Sequence, residues 1–203
     1  MKASIRAALL AFLVLAAAVH AQGQSRSLFL IARPGLPDPN FRDSVVLVIH
    51  SEGADTTGVI LNRPTNRSLA NLLPGERFEA FTDPIFFGGP VTPQGLFALF
   101  QSDKYAGPAV PMLPGVYLAV LPDSVDALLS KPPARIRFFS GYSGWAPGQL
   151  QAELDRGDWM VVEADAKTVF LRDTSRLWED MVRRARAVHA GAAVRELAIS
   201  SGR

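Results

Sequence analysis

The feature that most constrains the fold is a stretch rich in glycine and tryptophan in the C-terminal half of the chain. It runs over Gly141–Leu150 with the sequence GYSGWAPGQL, and Gly157-Asp158-Trp159 follows. Glycine permits positive φ angles and close backbone approach, which other residues adopt only at a cost. Proline suits the first turn of a helix, where its missing N–H group is not needed. We therefore predict that a strand over Ile136–Ser140 ends in a tight turn and that Pro147 opens a helix running through Glu153.

The N-terminal segment has the pattern of a secretory signal peptide. Lys2 and Arg6 precede an apolar run over residues 7–18, and small residues lead to a cleavage position after Ala21. The run is shorter than the roughly 20 apolar residues of a membrane span. We therefore predict a signal peptide over residues 1–21 and a periplasmic or secreted mature protein without a transmembrane segment. The alternatives are an uncleaved anchor and a cytoplasmic protein whose true start lies further along the chain.

Cleavage would leave a chain of balanced charge. The 21 basic residues include Lys2 and Arg6, so 19 basic residues would remain against 19 acidic ones. This balance disfavours a nucleic-acid partner, and a solvated helix face explains the arginines near the C-terminus better than contact with nucleic acid or anionic lipid. Those arginines are Arg183, Arg184, Arg186 and Arg195. The sequence has no cysteine, which excludes disulfides and thiolate zinc sites within it.

The rest of the sequence predicts a single α+β domain over residues 22–187 and a flexible tail over residues 188–203. Short apolar runs bounded by Pro, Gly and Asp predict strands, and these outnumber the helices without alternating regularly with them. The predicted strands are Leu28–Ala32, Ser44–His50, Thr57–Leu61, Ile85–Phe87, Leu96–Gln101, Val116–Leu121, Ile136–Ser140, Trp159–Glu163 and Thr168–Leu171. The second and third of these are expected to form a hairpin. Further helices are predicted over Leu69–Leu73 with Ser68 as the cap, from Asp123 or Ser124 to Ser130, and from Thr174 or Ser175 onward.

Four islands of sequence, in this order, resemble the bacterial YqgE/AlgH family. They are LIARP (30–34) with Phe41 and SVV (44–46), GVILNRP (58–64), FGGPV (87–91), and GYSGW (141–145) continuing to Trp159. The resemblance covers about residues 27–187 and implies a compact domain with a strongly bent, barrel-like mixed β-sheet and packed helices. The family's biochemical activity is not established, although one branch has a proposed role in regulating alginate production. The chain differs from the family in its export signal, in its Arg/Ala-rich tail, and in having Ser143 and Ala146 where Ala and Gly are more common.

Glycine, arginine and aromatic residues recur at successive strand ends, which predicts a groove for a ligand. A guanidinium suits a carboxylate or phosphate, glycine N–H groups can face an anion, and aromatic faces can stack on a ring. We expect a small anionic or peptide ligand, or a protein partner. The candidate residues are Asn62, Arg63, Gly88, Gly89, Gly141, Tyr142, Ser143, Gly144, Trp145 and Gln149. The alternative is architectural, with glycines bending the sheet and aromatics filling the core.

Catalytic chemistry finds little support in the sequence. A hydrolase using Ser143 with His50 is an alternative, but the G-x-S-x-G pattern would require a glycine where Trp145 stands. His50 and His189 are far apart, and the sequence contains no HExxH, EF-hand or nucleotide-binding motif, so no metal or cofactor is expected. We therefore favour a non-catalytic binding, interaction or regulatory module. A cytoplasmic transcriptional regulator is the alternative if the N-terminus is not a signal.

Overall fold

The computed structural model describes residues 26–50, 55–104 and 107–201, with side chains described as far as residue 190. The predicted signal peptide lies outside these residues. The strands are β1 Arg26–Ala32, β2 Val45–His50, β3 Thr56–Ile60, β4 Phe86–Phe87, β5 Val91–Gln101, β6 Val110–Leu113, β7 Val116–Ala119, β8 Ile136–Trp145 and β9 Trp159–Glu163. The helices are α1 Leu69–Leu72, α2 Glu76–Glu79, α3 Pro122–Ser130, α4 Gln149–Asp155, α5 Ala166–Val169 and α6 Leu177–Ser201.

The strands form one sheet that curls into a half-barrel. Eight of them follow the order β6-β7-β5-β8-β3-β2-β1-β9, and β4 pairs with β8 beside this path. The neighbours are antiparallel except β4 and β8, which run parallel, so the sheet is mixed. The curl brings β6 into contact with β2. The predicted α+β class, the single domain and the bent sheet are therefore confirmed.

Both faces of the central strands are buried, because the curled sheet packs one face on an inner cluster and the opposite face on outer clusters. In β1, Phe29 and Ile31 belong to the inner cluster, whereas Leu30 and Ala32 belong to an outer cluster with Trp159. Alternate residues of a strand point to opposite faces, so burial of both faces explains the uninterrupted apolar runs. Helix α6 adds apolar side chains to the inner cluster, and α3 packs on another face of the sheet. No helix in the described part of the chain has the length and apolar character needed to span a membrane.

Strand β8 is longer than predicted and occupies the centre of the sheet. It continues to Trp145, so the prediction that the strand ends at Ser140 is wrong. Residues Ile136–Ser140 pair with β5, which pairs again at Tyr142, and residues Ser143–Trp145 pair with β3. Gly141, with φ of +72°, lets the backbone bend between the halves, and the turn into α4 comes only at Gly148, with φ of +79°. Gly141 thus allows the bend within the strand, and Gly148 allows the turn that follows it.

The remaining predictions of strands and helices are confirmed in part. The hairpin of β2 and β3 is confirmed, with Val48 opposite Gly58. The predicted strand over Thr168–Leu171 is wrong, because Thr168 and Val169 belong to helix α5 and Phe170 follows as its C-cap. Asp165 caps this helix, and its Oδ1 accepts the Thr168 N–H at 2.8 Å. Strand β6 and helix α2 were not predicted, and α6 includes residues 188–201 of the predicted tail, whose flexibility stays a prediction.

Candidate functional site

Three glycines bring β4 and β8 unusually close together, and we call Gly88, Gly89 and Gly141 the glycine crossing. A Cβ added at Gly88 would lie 2.2 Å from the carbonyl oxygen of Gly141. One added at Gly141 would lie 2.4 Å from the carbonyl oxygen of Gly89. Side-chain carbons cannot approach backbone oxygens this closely, and the φ of Gly89 is also positive, at +148°. Backbone packing therefore explains why glycine occupies these three positions.

Ser143 belongs to the same buried region. Its side chain is fully buried, and its Oγ donates a hydrogen bond to the carbonyl of Gly88 at 2.9 Å. Nδ1 of His50 lies 2.7 Å from Oγ1 of Thr56. No described hydrogen bond joins Ser143 to His50, so these contacts give the hydrolase alternative no support. The described residues also contain no group of three or more His, Asp and Glu placed to hold a metal ion.

Tyr142 and Gly144 lie beside the glycine crossing, where the packing is less tight. The half-buried ring of Tyr142 packs edge-on against Phe97, with ring centroids 5.3 Å apart. A Cβ added at Gly144 would lie 3.4 Å from the Tyr142 ring, which is an ordinary van der Waals distance. Space therefore does not require glycine at position 144, in contrast to the three positions of the crossing.

The two tryptophans of the motif share one carboxylate acceptor. Oε2 of Glu153 accepts the indole N–H groups of Trp145 and Trp159, each at 2.8 Å. The ring of Phe41 stacks on Trp145 and meets Trp159 edge-on, with centroid distances of 5.6 and 5.5 Å. Nε2 of the exposed Gln149 donates to Oε1 of Glu153 at 3.0 Å. We call Phe41, Trp145, Glu153 and Trp159 the indole cluster, and within it the polar groups and ring faces contact each other.

Asn62 and Arg63 hold the loop that carries Phe41. Oδ1 of Asn62 accepts from the Val45 N–H at 2.9 Å, and its Nδ2 donates to the Asp43 carbonyl at 2.8 Å. The guanidinium of Arg63 donates to three carbonyls of the same loop, those of Pro39, Asn40 and Arg42. Partial burial lowers the pKa of Arg63, although nearby carboxylates act in the opposite direction. The loop thus takes up the hydrogen-bonding groups that a ligand would otherwise use.

The ten predicted ligand residues therefore fall into two connected sets. Asn62 and Arg63 fix the loop that carries Phe41 to the indole cluster, which includes Trp145 and, through Glu153, contacts Gln149. The three glycines and Ser143 form the crossing, with Tyr142 and Gly144 beside it. These contacts favour an architectural role for the motifs. Their role in ligand binding stays a prediction.

A second region gathers cationic side chains that were not predicted to form a site. A groove of about 960 Å³ lies between the loop before β4, the start of β8 and the segment around α5. Arg135, Lys167 and Arg172 line this groove and are exposed. Within the described residues, their side chains take part in no ion pair with an acid. With Arg137 and the acidic Asp83 also in its lining, this basic groove carries an excess of positive charge.

Arg137 clamps the two sides of the basic groove together. Its Nη1 donates to the carbonyl of Val169 at 2.9 Å and its Nη2 to the carbonyl of Leu171 at 2.5 Å. The guanidinium also lies over the ring of Phe86, 4.5 Å from the ring centroid. Burial lowers the pKa of Arg137 to about 10, with Asp83 acting in the opposite direction, so the side chain remains charged at neutral pH. This clamp fixes the segment that carries Lys167 and Arg172 against β8.

The basic groove also has an apolar wall. Phe81, Ile136 and Phe170 line it as half-buried side chains, and Pro132 and Pro133 lie at its margin. Binding sites for small molecules combine apolar walls with a few well-placed polar groups, and their volumes are roughly 300–1,000 Å³. The groove has this character, so its arrangement suits an anion that also offers apolar surface.

The sequence did not predict this site, because the two sides of the groove come from distant parts of the chain. The clamp joins Arg137 to carbonyls 32 and 34 residues further along. One local signal was present, since Arg135 and Arg137 are two positions apart at a predicted strand and therefore project from the same face. Lys167 lies in α5 and Arg172 follows it, and the sequence predicted a strand over the residues between them, Thr168–Leu171.

The fold defines the class to which the protein belongs: a single α+β domain built on a curled half-barrel sheet. A family model described as DUF179, AlgH-like, matches residues 29–189, and the chain belongs to this family. The resemblance to the YqgE/AlgH family is thereby confirmed.

Two relatives illustrate the similarity in sequence. A UPF0301 protein of Myxococcus xanthus (strain DK1622) is 36% identical over 162 residues, which cover 76% of this chain and 87% of that protein. A UPF0301 protein of Streptomyces avermitilis is 36% identical over 165 residues, covering 77% and 84% of the two chains.

Two solved structures share the fold. The solution structure of the AlgH protein from Pseudomonas aeruginosa matches with a TM-score of 0.64 and 29% identity, covering 77% of this chain and 87% of that one. The crystal structure of protein DIP2367 from Corynebacterium diphtheriae matches with a TM-score of 0.60, covering 79% and 87%. At 23% identity, the second likeness shows the fold alone.

Proposed function

We propose that this protein is a non-catalytic binding module whose basic groove holds an anionic ligand. The observation that carries the proposal is the convergence of Arg135, Lys167 and Arg172 on one groove, where none of them pairs with an acid among the described residues. Guanidinium groups bind carboxylates and phosphates through two parallel hydrogen bonds, and an ammonium adds a point charge. A concave site lined by one sign of charge also concentrates ions of the opposite sign.

The proposal keeps the ligand class predicted from the sequence but assigns it to other residues. The guanidinium of Arg63 donates to loop carbonyls, whereas those of Arg135 and Arg172 are exposed in the groove. A ligand at Arg63 would have to replace contacts that fix the loop below Phe41. A ligand in the basic groove would add partners to charged groups without breaking described ion pairs.

Calorimetric titration with pyrophosphate and with citrate tests the proposal. Both anions should bind, and affinity should fall as salt concentration rises, because screening weakens exposed charge interactions. Arg135→Glu and Arg172→Glu should each weaken binding about tenfold or more, since a hydrogen bond to a charged group contributes about 1.5–3 kcal/mol. Arg186→Glu is the matched control, because Arg186 is exposed on α6 and does not line the groove. Equal losses in all three variants, or no binding of either anion, would contradict the proposal.

The proposal includes export, so that binding takes place in the cell envelope. Its support is the basic start, the apolar run and the small residues of positions 1–21. N-terminal sequencing of the protein from fractionated native cells tests it directly. A mature start at Gln22 in the periplasm is expected. An intact Met1 in the cytosol would contradict export and make the cytoplasmic regulator the leading alternative.

A further inference from the structure

We infer that the ligand of the basic groove is a nucleotide-like organic polyphosphate, in which a flat aromatic ring is joined to two or more phosphate charges. The inference rests on the proposed function and specifies its ligand class. It combines two properties of the groove, the excess of cations and the apolar wall.

The distribution of charge indicates more than one anionic group on the ligand. The lining contains four cationic side chains and one acidic side chain. Both terminal nitrogens of Arg137 are bound to the carbonyls of Val169 and Leu171, so Arg137 serves as a positioning residue. The anion would then contact Arg135 on the β8 side and Lys167 and Arg172 on the opposite side. A ligand carrying two linked phosphates can face both sides at once.

The size of the groove and its apolar wall indicate that the ligand has an organic part. A volume of about 960 Å³ is far larger than one inorganic ion needs and lies at the upper end of the usual range for small-molecule sites. Phe81 and Phe170 are half-buried in the lining, so each leaves part of its ring open to the groove. Aromatic side chains favour flat rings as partners, because stacked and edge-on contacts add to the area that is buried.

Three ligands distinguish the contribution of the phosphates to binding from that of the aromatic ring. Dissociation constants are measured by calorimetry for ADP, pyrophosphate and adenosine, in magnesium-free buffer of fixed ionic strength. We expect ADP to bind at least about tenfold more tightly than pyrophosphate, and adenosine to bind more weakly than ADP. Phe170→Leu and Phe81→Leu keep apolar volume but remove the ring, and thermal unfolding checks that each variant is folded.

The variants give distinguishable results. Phe170→Leu or Phe81→Leu should weaken ADP binding several-fold while leaving pyrophosphate binding unchanged. Arg135→Ala and Arg172→Ala should weaken both, and Arg186→Ala should weaken neither. Equal affinities for ADP and pyrophosphate, or an ADP affinity that survives both leucine variants, would overturn the inference and leave the proposed function standing. Failure of ADP, pyrophosphate and citrate alike would overturn both.

Discussion

The two ends of strand β8 differ in their polar groups: those at one end bind internal acceptors, and the guanidinium beside the other end is exposed. Its second half, over Gly141–Trp145, belongs to the glycine crossing and the indole cluster, where Ser143 and Trp145 donate to internal acceptors. Its first half begins beside Arg135, whose exposed guanidinium has no acidic partner among the described residues. The comparison teaches that a conspicuous sequence motif can serve packing, while scattered cations can mark the better candidate for binding.

The same comparison separates two kinds of arginine. Arg63 and Arg137 each donate to backbone carbonyls and hold a segment of chain in place. Arg135 and Arg172 line the groove without such described bonds. A charged residue is therefore a candidate ligand contact only when the fold leaves its donors available. Substitutions at the glycine crossing, the indole cluster and Arg137 test this division.

Replacement of a glycine in the crossing should be the most damaging change. Gly141→Ala combines a φ of +72° with a Cβ 2.4 Å from a backbone oxygen. We expect a loss of about 4 kcal/mol in the free energy of unfolding, or failure to fold, because overpacking and left-handed strain add. Gly157→Ala is the matched control, since its φ is +73° but no described atom lies within 4 Å of the added carbon. It should lose about 1–2 kcal/mol from strain alone. Equal losses in urea unfolding would contradict close packing at the crossing.

Loss of the shared carboxylate should destabilise the indole cluster. Glu153→Ala removes the acceptor of two indole N–H groups, and we expect a loss of about 2 kcal/mol because unsatisfied buried donors cost about 1–3 kcal/mol each. Glu153→Gln retains an acceptor oxygen and should lose less. Asp155→Ala on the same helix is the control, since Asp155 is exposed and should change stability by no more than about 0.5 kcal/mol. Thermal unfolding followed by tryptophan fluorescence measures all three, and similar values for Glu153→Ala and Asp155→Ala would refute the shared-acceptor role.

The clamp should affect both stability and binding. Arg137→Lys keeps the positive charge but cannot present the same planar fork to two carbonyls. We expect a loss of about 1.5 kcal/mol in stability, on the scale of one charge-assisted hydrogen bond, together with weaker pyrophosphate binding. Arg135→Lys is the control and should leave stability unchanged. Unaltered stability and affinity in Arg137→Lys would remove the positioning role from the account.

The smallest predicted effect depends on pH. Partial burial of Asp165 opposes its ionisation, but hydrogen bonds from Arg184 and Thr168 outweigh this and hold its pKa below the ordinary value of 3.8. A lowered pKa in the folded state stabilises the fold above pH 3.8, and this contribution is lost as the pH falls through the folded-state pKa.

Asp165→Asn should therefore reduce stability by only about 0.5 kcal/mol at neutral pH, because the pair with Arg184 is partly exposed and solvent screens it. The difference from the unmodified protein should become smaller as the pH falls below 3.8 and through the folded-state pKa. Urea unfolding at about pH 6 and about pH 2.5 measures it. A difference that stays constant between the two would count against the ion pair as its source.

Local patterns predicted much of the fold. The apolar runs gave the hairpin of β2 and β3, and Ser68 does cap α1 by accepting the Asn71 N–H. Local patterns failed where tertiary contacts decide the conformation. The sequence predicted a helix starting at Asp123 or Ser124, yet α3 begins at Pro122, and the hydroxyl of Ser124 donates to the Pro108 carbonyl. The same reason explains why the continuation of β8 through Gly141 was missed, since pairing with β3 extends the strand.

The candidate site was less predictable than the fold. The sequence picked out Gly141 and Trp145 because glycine and aromatic residues recur at strand ends, whereas the structure shows both residues in close packing. The basic groove depends on contacts more than 30 residues apart, between Arg137 and the carbonyls of Val169 and Leu171. No local pattern encodes such a contact.

Titration of the ¹⁵N-labelled protein with pyrophosphate, followed by two-dimensional amide NMR, shows directly which residues bind the anion. We expect saturable shifts that concentrate at Arg135, Lys167 and Arg172, while the amides of Gly88 and Gly141 remain unchanged. Saturable shifts centred on the glycine crossing and Arg63, without shifts in the basic groove, would show that the anion binds at the motif residues instead.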